Sequence, residues 1–311
     1  MFESLAYALD VTLPISIIIL LGVLLKRMGW INENFAEVGA KLVFNLTLPC
    51  LLFINVSATH LSKDFPLLLF FIAGGVVVLS FIAFHFLALV IPNRNARGAF
   101  VQGACRGNLA IVGLALSVSA FGDHAVGLAS MFLAVLVLPV NIFSILTLYY
   151  HQAQTPSFRT VGLNVLSNPL AIAIVLALLV TVMSISVPKL ILDTGNYLAR
   201  MTLPLALICV GASIRWHEFR ASRLLYIAIG GKLVVLPIIA TLLGFFFGFR
   251  GEQLGVLYIM MAAPTAAAAY PMVRSIGGDY HLAAAIIAGS TLLSMFTSTL
   301  GLFGLRYLGW V

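Results

Sequence analysis

"ACRGNLAIVG" (residues 104–113) sets an arginine, an amide and two glycines into a stretch otherwise fit for lipid. A second stretch, "AAPTAAAAYP" (262–271), carries Pro264 and Pro271 inside an equally apolar run. Proline removes a backbone donor and clashes with the preceding turn. Glycine weakens a helix by roughly 1 kcal/mol relative to alanine. Each stretch is therefore the weakest helix of its surroundings, with breaks expected at Gly107 and Gly113 in one and at Pro264 and Pro271 in the other. Unwound backbone at membrane depth is tolerated where it lines a cavity, and paired interrupted spans in two halves of a chain point to a transporter's binding site. Close helix packing through small residues is the competing reading; it suits Gly230 and Gly231 best.

Working outward, the chain is 311 residues long, 62% hydrophobic and 9% charged. That apolar fraction exceeds what a water-soluble fold can hide, so the solvent is a bilayer. Ten apolar runs are long enough to be candidate spans: 11–29, 36–58, 66–91, 98–121, 125–149, 167–186, 191–214, 223–248, 253–276 and 280–308. The expected fold is an all-α polytopic membrane protein with ten transmembrane helices. A polar connection divides it into 1–149 and 167–311, with 150–166 as a cytoplasmic linker.

The halves match. One offset of 155 residues separates Pro14 from Pro169 and "TLP" ending at Pro49 from "TLP" ending at Pro204. It also sets "RGNL" (106–109) opposite "MAAP" (261–264). A repeat with an odd number of spans enters the membrane from the other side the second time, which makes an inverted repeat. Lys26, Arg27, Arg94, Arg97, Arg159, Arg215, Arg220, Arg223 and Arg274 fall on one face, against Lys63, Lys189, Arg250 and Arg306 on the other. The richer face is expected to be cytoplasmic, which puts both termini outside the cell inner membrane.

Asn108 is too short to reach an interface. Either it ties two helices together or it contacts a substrate beside freed backbone donors, the reading preferred here. Arg106 either snorkels to the interface or attracts an anion. Lys232 is the other deep cation and either neutralises the site or pairs structurally. Asn45, Thr265 and Tyr270 complete the substrate-binding candidates, with Gly107 and Pro264 supplying unwound backbone. The acidic residues all fall at run ends or in loops, which disfavours a cation/proton antiporter. No Asp-rich magnesium motif, His-Glu zinc pair or GxSxG nucleophile occurs, so no enzyme, metal or cofactor is expected. Cys50, Cys105 and Cys209 lack disulfide or metal-ligand spacing. The formal charge of +7 comes from basic residues scattered singly, a topology signal rather than a nucleic-acid footprint.

"RGNLAIVGLALSVSAFGD" (106–123), "TLPLALICVGASI" (202–214) and "APTAAAAYPMVRSIGGD" (263–279) together resemble the auxin efflux carrier family, most closely its bacterial malonate or organic-acid branch. The resemblance implies a scaffold from spans 1, 2, 6 and 7. It implies a moving transport unit from spans 3–5 and 8–10, with broken spans 4 and 9 crossing at the site. It further implies elevator-like alternating access and a carboxylate contact at Asn108. Gly107 stands where plant members carry a proline. The expected function is secondary active or potential-driven transport of a small organic anion, a mono- or dicarboxylate. The alternative is a membrane receptor or sensor that binds the anion without moving it. Homodimerisation is left open.

Overall fold

The computed structural model describes residues 1–58, 66–123, 125–152, 167–183, 185, 187–215 and 221–311. Every regular element among these residues is helical. α1 is Phe2–Arg27. α2 (Glu33–Leu42) starts where Asn32 accepts from the Phe35 N–H, and runs through a π-helical turn, Val43–Thr47, into α3 (Leu48–Ala58). α4 (Leu67–Leu89) is followed by α5 (Arg94–Cys105). A π-helical turn, Leu109–Gly113, leads into α6 (Leu114–Phe121). α7 (Ala125–His151) closes the first half.

The second half contains α8 (Pro169–Val182), α9 (Lys189–Ala212) and α10 (Arg223–Gly230). A π-helical turn, Gly231–Val235, joins α10 to α11 (Leu236–Phe246). α12 (Gly251–Ala262), α13 (Ala269–Ser275) and α14 (Tyr280–Tyr307) follow. Asn168, with Pro169 behind it, starts α8 in the favoured order of capping side chain then proline.

Among the described residues, six stretches are long and apolar enough to cross a membrane: Phe2–Arg27, Glu33–Ser57, Leu67–Leu89, Ala125–His151, Arg223–Phe246 and Tyr280–Tyr307. Phe71, Phe246, Phe296 and Leu300 face outward, which costs nothing against acyl chains. The chain is a multi-pass, helical membrane protein. The runs 98–121 and 253–276 are each two helices with an extended break between them. α7 runs two residues past 149, and the rest of the 150–166 linker, from 153 onward, lies outside the described residues. So do Lys63, Arg159 and Arg220.

Backbone contact positions the helices. α1 lies along α9 at two glycines: a Cβ on Gly211 would run into the Ile19 carbonyl oxygen, and one on Gly22 into that of Ile208. α3 lies along α8. α4 packs on α5, α7 and α11, around the fully buried rings of Phe81, Phe100 and Phe132. α14 touches α1, α5 and α13. The two breaks meet among these helices.

Candidate functional site

α5 stops at Cys105 because Arg106 turns to an extended conformation, and Asn108 stays outside the helical region. α12 stops at Ala262, before Pro264, and the chain regains helix only at Ala269. The two extended pieces cross and pair. The Asn108 N–H donates to the Pro264 carbonyl at 2.6 Å, and the Ala266 N–H donates to the Arg106 carbonyl at 2.9 Å. Gly107 and Thr265 face each other as a single antiparallel bridge. A helix end leaves carbonyls without partners, and in a membrane each such group costs several kcal/mol. Side chains answer two of them. The Thr265 hydroxyl donates to the Gly103 carbonyl at 2.7 Å, and the Lys232 ammonium to the Met261 carbonyl at 2.6 Å. The Ser290 hydroxyl accepts the Thr265 N–H at 3.1 Å.

A cavity of about 990 Å³ ends on this crossing. Its mouth carries Lys26, Glu33, Lys41, Arg215 and Arg274, at the ends of α1, α2, α9 and α13. Its walls are apolar, with Leu48, Leu133, Val137 and Leu170, and its inner end carries Arg106, Gly107 and Asn108. Beyond the π-helical turn the lining stops. Val112 and Leu116 pack there with Val11, Ile15, Ile19 and Ile259 in a buried cluster. The cavity is thus open on the side of the basic loops and blocked on the other.

Five basic side chains line it (Lys26, Lys41, Arg106, Arg215, Arg274) against two acidic ones (Glu33, Glu37). Glu37 pairs with Lys41 at 2.8 Å, and Glu33 lies 3.4 Å from Lys26 and 3.7 Å from Arg215. Both carboxylates are thereby occupied near the mouth, and the excess charge in the cavity is positive. The Arg106 guanidinium donates to the Ser144 hydroxyl of α7 at 3.0 Å, and its Nε is buried without a partner. The Asn108 side chain does not cap the helix behind it and has no hydrogen-bond partner among the described residues. Leu109, Ala110 and Ile111 line the cavity at a helix start, where N–H groups have no intrahelical acceptor. A partly free cation, an unused amide and helix N-terminal donors converge in one place. Donors of these kinds are able to hold an anion.

Arg106, Gly107, Asn108, Asn45, Tyr270 and Pro271 line the cavity. Asn45 sits at its α2–α3 wall and donates to the Lys41 carbonyl. Tyr270 lies under the Arg215 guanidinium, 4.4 Å from ring centre to carbon. Pro264, Thr265 and Lys232 are close by but behind the lining, where they hold the break together. The breaks expected at Gly113 and Pro271 do not form: Gly113 keeps helical angles where the π-helical turn runs into α6, and Pro271 lies in the first turn of α13, where its missing N–H has no intrahelical acceptor to lose. Asn141 of α7 also lines the cavity and was not singled out in the sequence. Its signal was available, since it is an amide in an apolar run two residues past Pro139. Ala266, Ala267 and Ala268 line it too, and nothing in their chemistry announces it.

A one-ended cavity closing on two crossed, interrupted helices defines a membrane transport protein. The family model described as membrane transport protein, that of the auxin efflux carriers, matches residues 7–160 and 156–302, and the chain belongs to this family. It is 22% identical over 262 residues to the uncharacterized transporter YfdV of Escherichia coli (strain K12), covering 82% of this chain and 83% of that protein. It is also 22% identical over 317 residues to the uncharacterized transporter MJ1031 of Methanocaldococcus jannaschii, covering 97% of this chain and 98% of that protein.

Proposed function

We propose that the protein is a secondary carrier for small organic anions, mono- or dicarboxylates, in the cell inner membrane. The observation that carries this is the cavity ending on Arg106, Gly107 and Asn108, with positive charge in excess and an amide left unused. Carboxylate oxygens fit such donors, and a cavity walled by Leu and Val suits a short hydrocarbon part. α1, α2–α3, α8 and α9 form the scaffold, and α4–α7 with α10–α14 form the unit that moves. Ten crossings in two inverted repeats underlie the arrangement. Its support is that α1 packs on α9 and α3 on α8, contacts that an exchange of the halves interchanges. The cavity mouth, on the face richer in basic loops, opens to the cytoplasm, and both termini lie outside.

Two measurements test this. Thermal stabilisation of the purified protein across acetate, pyruvate, malonate and succinate, at fixed ionic strength and two pH values, is expected to single out one or more carboxylates. Flux of the stabilising anion into proteoliposomes is expected to follow. Stabilisation without flux would make the protein a receptor, and stabilisation by none of the four would defeat the carboxylate assignment.

A further inference from the structure

Lys232 is 1% exposed, on the π-helical turn between α10 and α11. Among the described residues it has no carboxylate partner. Its ammonium donates to the Met261 carbonyl, in the last turn of α12. The geometry on its other side is equally tight. A Cβ on Gly107 would stand 3.1 Å from both Cε and Nζ of Lys232. The ammonium is therefore held between the broken end of one helix and the unwound backbone of the other, just behind the inner end of the cavity. Helix C-terminal ends carry partial negative charge, and in transporters with discontinuous helices such ends and unwound carbonyls are where coupling cations bind. Here the position is filled by a cation covalently fixed to the protein.

We infer that the Lys232 ammonium is the resident counter-cation of the moving unit, occupying the place at the α12 break that a diffusible coupling cation would otherwise take. This rests on the carrier reading above. Anion binding then needs no Na⁺, because the positive charge is present in the empty protein and travels with the site. Arg106 faces the anion, whereas Lys232 is a positioning residue that acts through the crossing. Lys232→Ala would leave a hole lined by the Met261 carbonyl and the Gly107 backbone, sized for a small monovalent cation or alkylammonium.

The experiment measures binding of malonate, the probe, to the full-length protein in proteoliposomes, with Na⁺ replaced by N-methylglucamine at constant ionic strength. Wild-type affinity is expected to be unchanged by the replacement. Lys232→Ala is expected to lose affinity by about tenfold or more in N-methylglucamine, and to regain most of it with Na⁺ or ethylammonium. Lys232→Met keeps the volume and fills the hole, so it tests the charge where the alanine variant does not fold. It is expected to lose affinity by a similar factor and to gain nothing from either cation. Wild-type binding that requires Na⁺ overturns the inference, as does near-wild-type affinity in Lys232→Met, or a folded Lys232→Ala that neither cation restores. A wild type that binds no carboxylate in any salt is a different result and removes the carrier reading instead.

Discussion

Asn108 is a candidate that the sequence alone singles out, for a physical reason, and the structure sets it at the inner end of the cavity. An amide in an apolar helix must answer to some partner, and a side chain this short cannot find it at the interface. Its structural surroundings narrow the choice, because its amide is unused while its own backbone groups hold the crossing: the N–H bonds Pro264 and the carbonyl accepts from Val112 and Gly113. Asn108→Ala should therefore leave the fold intact and weaken carboxylate binding by about 1.5–3 kcal/mol, as expected for a hydrogen bond to a charged group. Thermal unfolding and binding isotherms on the same sample separate the two effects, and wild-type affinity in the mutant would place the amide outside the site. Arg106 carries the longer-range part. Arg106→Gln should lower affinity and flatten its dependence on salt, since a guanidinium in a poorly screened cavity attracts an anion before contact is made. Unaltered salt dependence would assign the guanidinium to its Ser144 contact alone. Sequence reasoning reached Lys232 as a deep cation but not its neighbour, because which carbonyl it meets depends on how two distant helices cross.

At the scale of elements, one break in each half was readable, at Gly107 and at Pro264, whereas Gly113 and Pro271 stay helical and the pairing of the breaks was not readable. Glycine and proline mark where helix fails. The bridge between Gly107 and Thr265 depends on the angle at which α5 and α12 approach, which has no signature in either stretch. The alanines at 266–268 show the same limit: they line the cavity through where the break points, and no periodicity encodes that. The α1–α9 contact shows what close packing asks of a helix pair. Gly211 stands against the Ile19 carbonyl and Gly22 against that of Ile208, so backbone rather than a movable side chain opposes any added atom. Gly211→Val should force the helices apart and destabilise the protein by about 1–3 kcal/mol or more, the usual cost of overpacking. Thermal unfolding in detergent reads this directly. An unchanged midpoint would mean that the pair slides without loss and is not a rigid frame.

For the whole molecule, apolar composition and run length were enough to give a helical membrane protein with many crossings, because a bilayer admits few solutions. The side on which the cavity opens was not available from sequence, since it is a property of one conformation. Single cysteines placed at Val137 and at Val112, in a background free of Cys50, Cys105 and Cys209, report on it. Val137 should react with a thiol reagent supplied from the side of the basic loops, and Val112 should be protected until a bound anion lets the unit move. Val112 labelling as fast as Val137 from that same side would show that the buried cluster beyond the crossing is no barrier. Energetics at this scale add a further expectation. An unaccompanied anion is driven outward by an inside-negative potential, at about 2.3 kcal/mol per charge per 100 mV. Flux in proteoliposomes should accordingly scale with clamped voltage. Flux that ignores voltage and follows a proton or Na⁺ gradient would defeat uncoupled export.

The bridge at the crossing also constrains how the gene can change. Gly107 faces Thr265, and each partner's neighbours supply one hydrogen bond to the other strand. Removing one codon on either side would slip the pairing by a residue and turn alternate groups to the opposite face. The Thr265 hydroxyl would then leave the Gly103 carbonyl, and the donors around Asn108 would point away from the cavity. Neither half can therefore lose or gain length here unless the other shifts with it. In a library of single-codon deletions scored for transport, codons 104–108 and 262–266 should form two silent-free islands, while deletions in the exposed turn at 28–32 are tolerated.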